Sequence, residues 1–133
     1  MNRILITCGI LLVALHLAIP ATSVAADAPA GGKKLFHVVS LKFKEGTSKE
    51  QIAEVEQAFA ALKTQIPGVL TLDWGTNVSP EKRNAGFTHC FVLTFGSDTD
   101  RDAYLVHPAH KAFVKLAGAV LADVTVIDFW SQG

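Results

Sequence analysis

The sequence predicts an α+β subunit of ferredoxin-like type, β-α-β-β-α-α-β, with four strands and helices on one face of the sheet. Two observations lead there. Strand-like alternation and helix-like spacing succeed one another in that order along residues 34–130, and the strands are apolar on both faces. Helices can cover only one face of such a sheet. The other needs a second cover, for which a second copy of the sheet is the simplest: a two-fold homodimer, a dimeric α/β barrel.

The elements follow in order. Leu35 to Phe43 alternates, with Leu35, His37, Val39, Leu41 and Phe43 on one side and Phe36, Val38 and Ser40 on the other. Glu45-Gly46-Thr47 turns the chain, and Ser48 with Gln51 forms a capping box for a helix to about Gln65. On it, Ile52, Val55, Phe59, Leu62 and Ile66 make one apolar stripe. Pro67-Gly68 ends the helix, and Val69 to Trp74 reads as the second strand, stopped by Gly75. The polar stretch Asn77 to Asn84 is a loop, and Phe87 to Phe95 is the third strand. Ser97 opens a helix to about Val106, with Asp98 and Asp100 at its positive end. Pro108 cannot extend that helix but suits the first turn of another, which runs to about Val120. Val124 to Trp130 is the last strand.

At 133 residues there is room for one domain, and 50% apolar against 18% charged residues excludes a disordered chain. Twelve Lys and Arg balance twelve Asp and Glu, so no basic field for nucleic acid is present. The N-terminus is separate: Met1 to Arg3 is positive, Ile4 to Ile19 is apolar, Pro20 stops the run, and small residues follow. This is the layout of a secretory signal peptide over residues 1–26, then a linker over 27–33. The run falls short of the roughly 20 apolar residues of a membrane span, so the expectation is a secreted or periplasmic protein with no stable membrane insertion after cleavage. Cys8 lies too early in the run to be a lipoprotein anchor. The mature chain then has a single cysteine, Cys90, hence no intrachain disulfide, and Cys90 reads as a small buried hydrophobe.

The chemistry concentrates in Tyr104-Leu105-Val106-His107-Pro108-Ala109-His110. A metal is not expected there, because two histidines need a third protein ligand and no HExxH is present. His107 reads as a helix cap beside Pro108 and stays a ligand-binding candidate. His110 falls near the third position of the new helix, where the positive helix end disfavours an imidazolium and leaves a neutral imidazole able to accept a proton. Asp128, in an otherwise apolar strand, needs either a partner, for which His110 is the candidate, or water at the end of the strand. His37 and His89 lie on neighbouring strands, and with Tyr104, His110 and Asp128 they form a candidate polar lining for an apolar pocket.

His37 to Lys44, Trp74-Gly75, Gly86 to His89 and the Tyr-x-x-His-Pro-x-His stretch together resemble the stress-responsive alpha/beta-barrel family, the Dabb domain, over Lys34 to Trp130. The resemblance implies a dimeric barrel. By analogy with the family's plant polyketide cyclase it also implies His110 as general base, Tyr104 as a hydroxyl that binds a substrate carbonyl, Asp128 as the residue orienting His110, and His37 and His89 as pocket lining. No cofactor is expected. Two functions stay open: an exported pocket protein that holds a small hydrophobic molecule in a stress role, which the export segment favours, and a cofactor-independent cyclase or lyase.

Overall fold

The computed structural model describes residues 32–132. The expected signal peptide and most of the linker lie outside them. The elements are β1 (Leu35–Phe43), α1 (Lys49–Gln65), β2 (Thr71–Thr76), β3 (His89–Phe95), α2 (Asp98–Val106), α3 (Pro108–Gly118) and β4 (Leu121–Trp130). The strands form one antiparallel sheet in the order β2-β3-β1-β4. This is the ferredoxin-like arrangement expected from the order of elements.

Because β1 is central, its register decides what shares a face. His37 sits opposite Leu93 on β3 and Asp128 on β4, while Leu41 sits opposite His89 and Val124. Side chains alternate across a strand, so His37, Val39, Leu41, Phe91, Leu93, Val126 and Asp128 all face the helices. There Val55, Phe59 and Leu62 of α1, Tyr104 of α2 and Phe113 of α3 join the strand residues in one core. Phe59 stacks on Phe91 with ring centroids 3.9 Å apart, and Phe91 stacks on Trp74 at 5.3 Å. The opposite face carries Phe36, Val38, Val92, Ile127 and Phe129. Phe36 and Phe129 stack at 5.0 Å, and Ile127 and Phe129 are 56% and 46% exposed.

Local chemistry sets the ends of the elements. Ser48 caps α1 by accepting from the Gln51 amide at 3.2 Å, and Gln51 accepts from the Ser48 amide at 3.0 Å. Past α1, Gly68 has φ +91°, a left-handed turn that a Cβ would strain, and Asp100 packs where that Cβ would lie. Ser97 caps α2 through the Asp100 amide at 3.1 Å.

Several element boundaries, the start of β2 at Thr71 among them, and one side chain differ from expectation. β2 runs through Gly75 to Thr76 because those residues pair with Cys90 and His89; a glycine has no side chain to pack, but its backbone can still join a ladder. β3 starts at His89 because the Phe87 and Thr88 amides turn to Asn84 O and Leu41 O instead. α3 stops at Gly118, which lets β4 begin at Leu121. Cys90 is exposed, not buried: its parity with Val92 puts it on the face without helices.

Among the described residues, no helix is long and apolar enough to cross a membrane. Since Phe91 is fully buried between Phe59 and Trp74, Phe91→Ala should cost about 3–5 kcal/mol, whereas Cys90→Ala should stay within about 0.5 kcal/mol. Urea unfolding of the two variants beside the wild type measures both.

Candidate functional site

A cavity of about 550 Å³ opens between the helix-facing side of β1 and β4 and the helices α2 and α3. One part of its lining is polar, from His37, Tyr104, His110 and Asp128, with Asp123 of β4 besides. The rest is apolar, including Leu41, Phe59, Phe113, Ala117 and Leu121. Val114, Val124 and Val126 also line it and are about half exposed, which sets the mouth between α3 and β4.

The break between α2 and α3 aims His110. Pro108 has no amide hydrogen, so the Tyr104 carbonyl, which would normally accept from it, accepts from the His107 amide at 3.1 Å. The Ala109 amide, the ordinary partner of the Leu105 carbonyl, is taken by His107 Nδ1 at 3.1 Å. The Leu105 carbonyl is thereby left free, and His110 Nδ1–H donates to it at 3.0 Å. A carbonyl can only accept, so the proton of the neutral ring is on Nδ1 and Nε2 keeps its lone pair.

Electrostatics favour that neutral form. Burial lowers the His110 imidazole below its ordinary value of 6.5; the Leu105 hydrogen bond opposes the shift and the nearby His37 adds to it. The adjacent Tyr104, whose ring centroid lies 4.5 Å from that of His110, is fully buried, and burial pushes its phenol far above the ordinary value of 10. Tyr104 therefore stays protonated and is a hydrogen-bond donor throughout the physiological range.

Asp128 does not orient His110. The pairing of β1 with β4 sets it directly opposite His37, and Oδ1 accepts from His37 Nδ1–H at 2.6 Å. Its other oxygen accepts from Arg101 Nη1 of α2. Arg101 also donates through Nε to Asp102 at 2.7 Å and lies 3.6 Å from Asp98. Asp102 foremost, and then Asp128, hold the guanidinium above its usual value. The sequence reading missed Arg101. Its one visible signal is position, a basic residue inside Asp98-Thr99-Asp100-Arg101-Asp102 and one helical turn before Tyr104.

His89 and His107 are not in this cavity. His89 shares a face with His37 but lies toward the other end of β1, where Glu56 of α1 bonds Nε2 at 2.9 Å and Thr88 bonds Nδ1 at 2.9 Å. It borders a separate concavity of about 570 Å³ beside Trp74. His107 spends its Nδ1 lone pair as the N-cap of α3. Among the described residues, no cluster of three or more metal-binding side chains occurs.

The arrangement can hold an apolar molecule against an uncharged base, Nε2 of His110, beside a neutral donor, Tyr104. The profile of the Stress responsive A/B Barrel Domain family matches residues 35–131. Stress-response A/B barrel domain-containing protein HS1 of Arabidopsis thaliana is 38% identical over 93 residues, 70% of this chain and 85% of that protein. Olivetolic acid cyclase of Cannabis sativa is 28% identical over 93 residues, 70% of this chain and 92% of the cyclase. The solved hydroxynitrile lyase of Passiflora edulis aligns with a TM-score of 0.71 and 25% identity, over 76% of this chain and 95% of the lyase. A dimeric ferredoxin-like protein of unknown function from Jannaschia sp. aligns at 0.64 and 25% identity, over 72% and 97% of the two chains.

The His110 shift has a consequence for stability. The unfolded imidazole titrates near 6.5 and the folded one lower, so as pH falls the unfolded chain takes up the proton first. The stability this group contributes is full above the unfolded value and is lost as pH drops toward the folded one. Urea unfolding between about pH 7.5 and about pH 5 should show a shallower acid loss for His110→Asn than for the wild type.

Proposed function

Because the chain belongs to the stress-responsive A/B barrel domain family, we propose that it binds a small hydrophobic carbonyl compound in the cavity beneath α2 and α3 and moves a proton on it. The single observation that carries this reading is the placement of His110, whose Nδ1–H goes to the Leu105 carbonyl and leaves Nε2 as a base, with burial favouring the neutral ring. Nε2 takes a proton from the carbon next to the carbonyl, and the Tyr104 hydroxyl donates to the carbonyl oxygen as negative charge develops there. The likeness to a cyclase and to a lyase supports this choice over a purely structural role for the polar residues. A second reading, binding without turnover in a stress response, is favoured by the mostly apolar lining and by the name of the relative from Arabidopsis thaliana.

A screen of hydrophobic aldehydes, ketones and polyketide-like compounds separates the two. For a compound that is turned over, His110→Ala should lower the rate by about 10²- to 10⁴-fold while affinity changes little, and Tyr104→Phe should lower the rate as well. Binding with no turnover of any compound, and affinity that survives both substitutions, would return the site to the second reading.

The working unit we propose is a homodimer, exported after loss of residues 1–26. The exposed apolar face around Ile127 and Phe129 and the dimeric neighbour from Jannaschia sp. support the dimer. The positive start and apolar run of Met1 to Ile19 support export. Protein recovered from outside the cytoplasm should begin near Asp27, and light scattering on the same sample should give twice the mass of the mature chain. An intact Met1 would overturn export, and a monomer at micromolar concentration would overturn the dimer.

A further inference from the structure

Arg101 does not line the cavity, yet it is bonded to the carboxylate that holds His37. Asp128 sits on the edge strand β4 with its side chain 28% exposed, so water competes for both of its oxygens. One oxygen faces His37 Nδ1 and the other faces Arg101 Nη1. A carboxylate held at one oxygen can turn about its side-chain torsions, whereas one held at both is fixed in direction. The guanidinium is itself fixed, through Nε by Asp102 and at the helix start by Asp98. α2 therefore presents a charged fork whose free arm reaches β4.

We propose that Arg101 is a positioning residue of the cavity: by clamping Asp128 it holds the neutral His37 ring in the Nδ1–H form, which leaves Nε2 as the bare nitrogen. The groups that face His37 are consistent with this. Asp128 comes from β4 at 2.6 Å, the Tyr104 ring from α2 at 5.7 Å between centroids, and His110 from α3 across the cavity. The residues opposite and beside it on β3, Leu93 and Phe95, are apolar. Only Asp128 can accept the Nδ1 proton strongly, so what holds Asp128 decides the tautomer. With His110 held in the same form by Leu105, the cavity has two imidazoles with the same proton placement, each by a different acceptor. The importance of this for catalysis rests on the proton-transfer reading above; the proton placement itself does not.

The test uses the mature protein with 15N-labelled histidine, raised to a pH at which the His37 ring nitrogen shifts stop changing, so that the neutral ring is the species observed. The ring nitrogen shifts of His37 report its tautomer. The wild type should show His37 almost wholly as Nδ1–H. Arg101→Gln should let a clear minority of the Nε2–H form appear, Arg101→Lys should restore most of the wild-type pattern, and Asp128→Asn should remove the preference. The His110 pattern should be unchanged in all three. A residue that merely ties α2 to β4 would lower the melting temperature in Arg101→Gln and leave the His37 signals where they were, and that result would overturn the proposal. So would Arg101→Lys behaving as Arg101→Gln does. If no compound is ever turned over, the proposed reaction fails while these spectra stand; turnover with unmoved spectra removes Arg101 alone.

Discussion

A proline has no amide hydrogen, and the site is arranged around the one missing at Pro108. Had the helix continued, the carbonyls of Tyr104 and Leu105 would be spent inside it. The break instead turns the His107 amide back to Tyr104, spends the His107 ring on the Ala109 amide, and releases the Leu105 carbonyl to His110. One absent donor thus sets the direction of α3, the tautomer of its third residue and the position of Tyr104 against that residue. Before the break, Arg101 lies one turn from Tyr104 within α2 and reaches Asp128 on β4.

The second constraint is the cost of placing histidines on an apolar sheet face. A buried polar group without a partner costs roughly 1–3 kcal/mol, and among the described residues no buried side-chain nitrogen or oxygen is left without one. His37 and His89 meet the requirement in the same way, each through a carboxylate from a different element. His37 takes Asp128 from the neighbouring strand, and His89 takes Glu56 from α1. The consequences differ because of where they lie along β1. His37 is beside the cavity, whereas His89 is beyond Phe59 and Phe91, whose stacked rings fill the middle of the layer.

The two parts of the cavity lining differ in character. Most of it is aliphatic or aromatic, the kind of surface that the proposed binding of a small hydrophobic molecule requires. The polar residues add direction: a lone pair on His110, a hydroxyl on Tyr104, and His37 tied to Asp128. The opposite face of the sheet, with Phe36 stacked on Phe129 and Ile127 half exposed, has the composition of an interface and not of a wet surface.

The order of elements, the two caps at Ser48 and Ser97 and the helix restart at Pro108 are determined by residues within a few positions of one another, and they were legible for that reason. Tyr104 and His110 were legible too, because one turn and one break are enough to bring them together. The partner of Asp128 was not. Sequence chemistry says that a carboxylate in an apolar strand needs a bond, but which group supplies it depends on register, and only the pairing of β1 with β4 puts Asp128 across from His37. The separation of His89 from the cavity and the reach of Arg101 belong to the same class, since each is a contact between elements distant in sequence. Cys90 shows the limit most simply: alternation assigns it to a face, but the tertiary structure decided which face the helices cover.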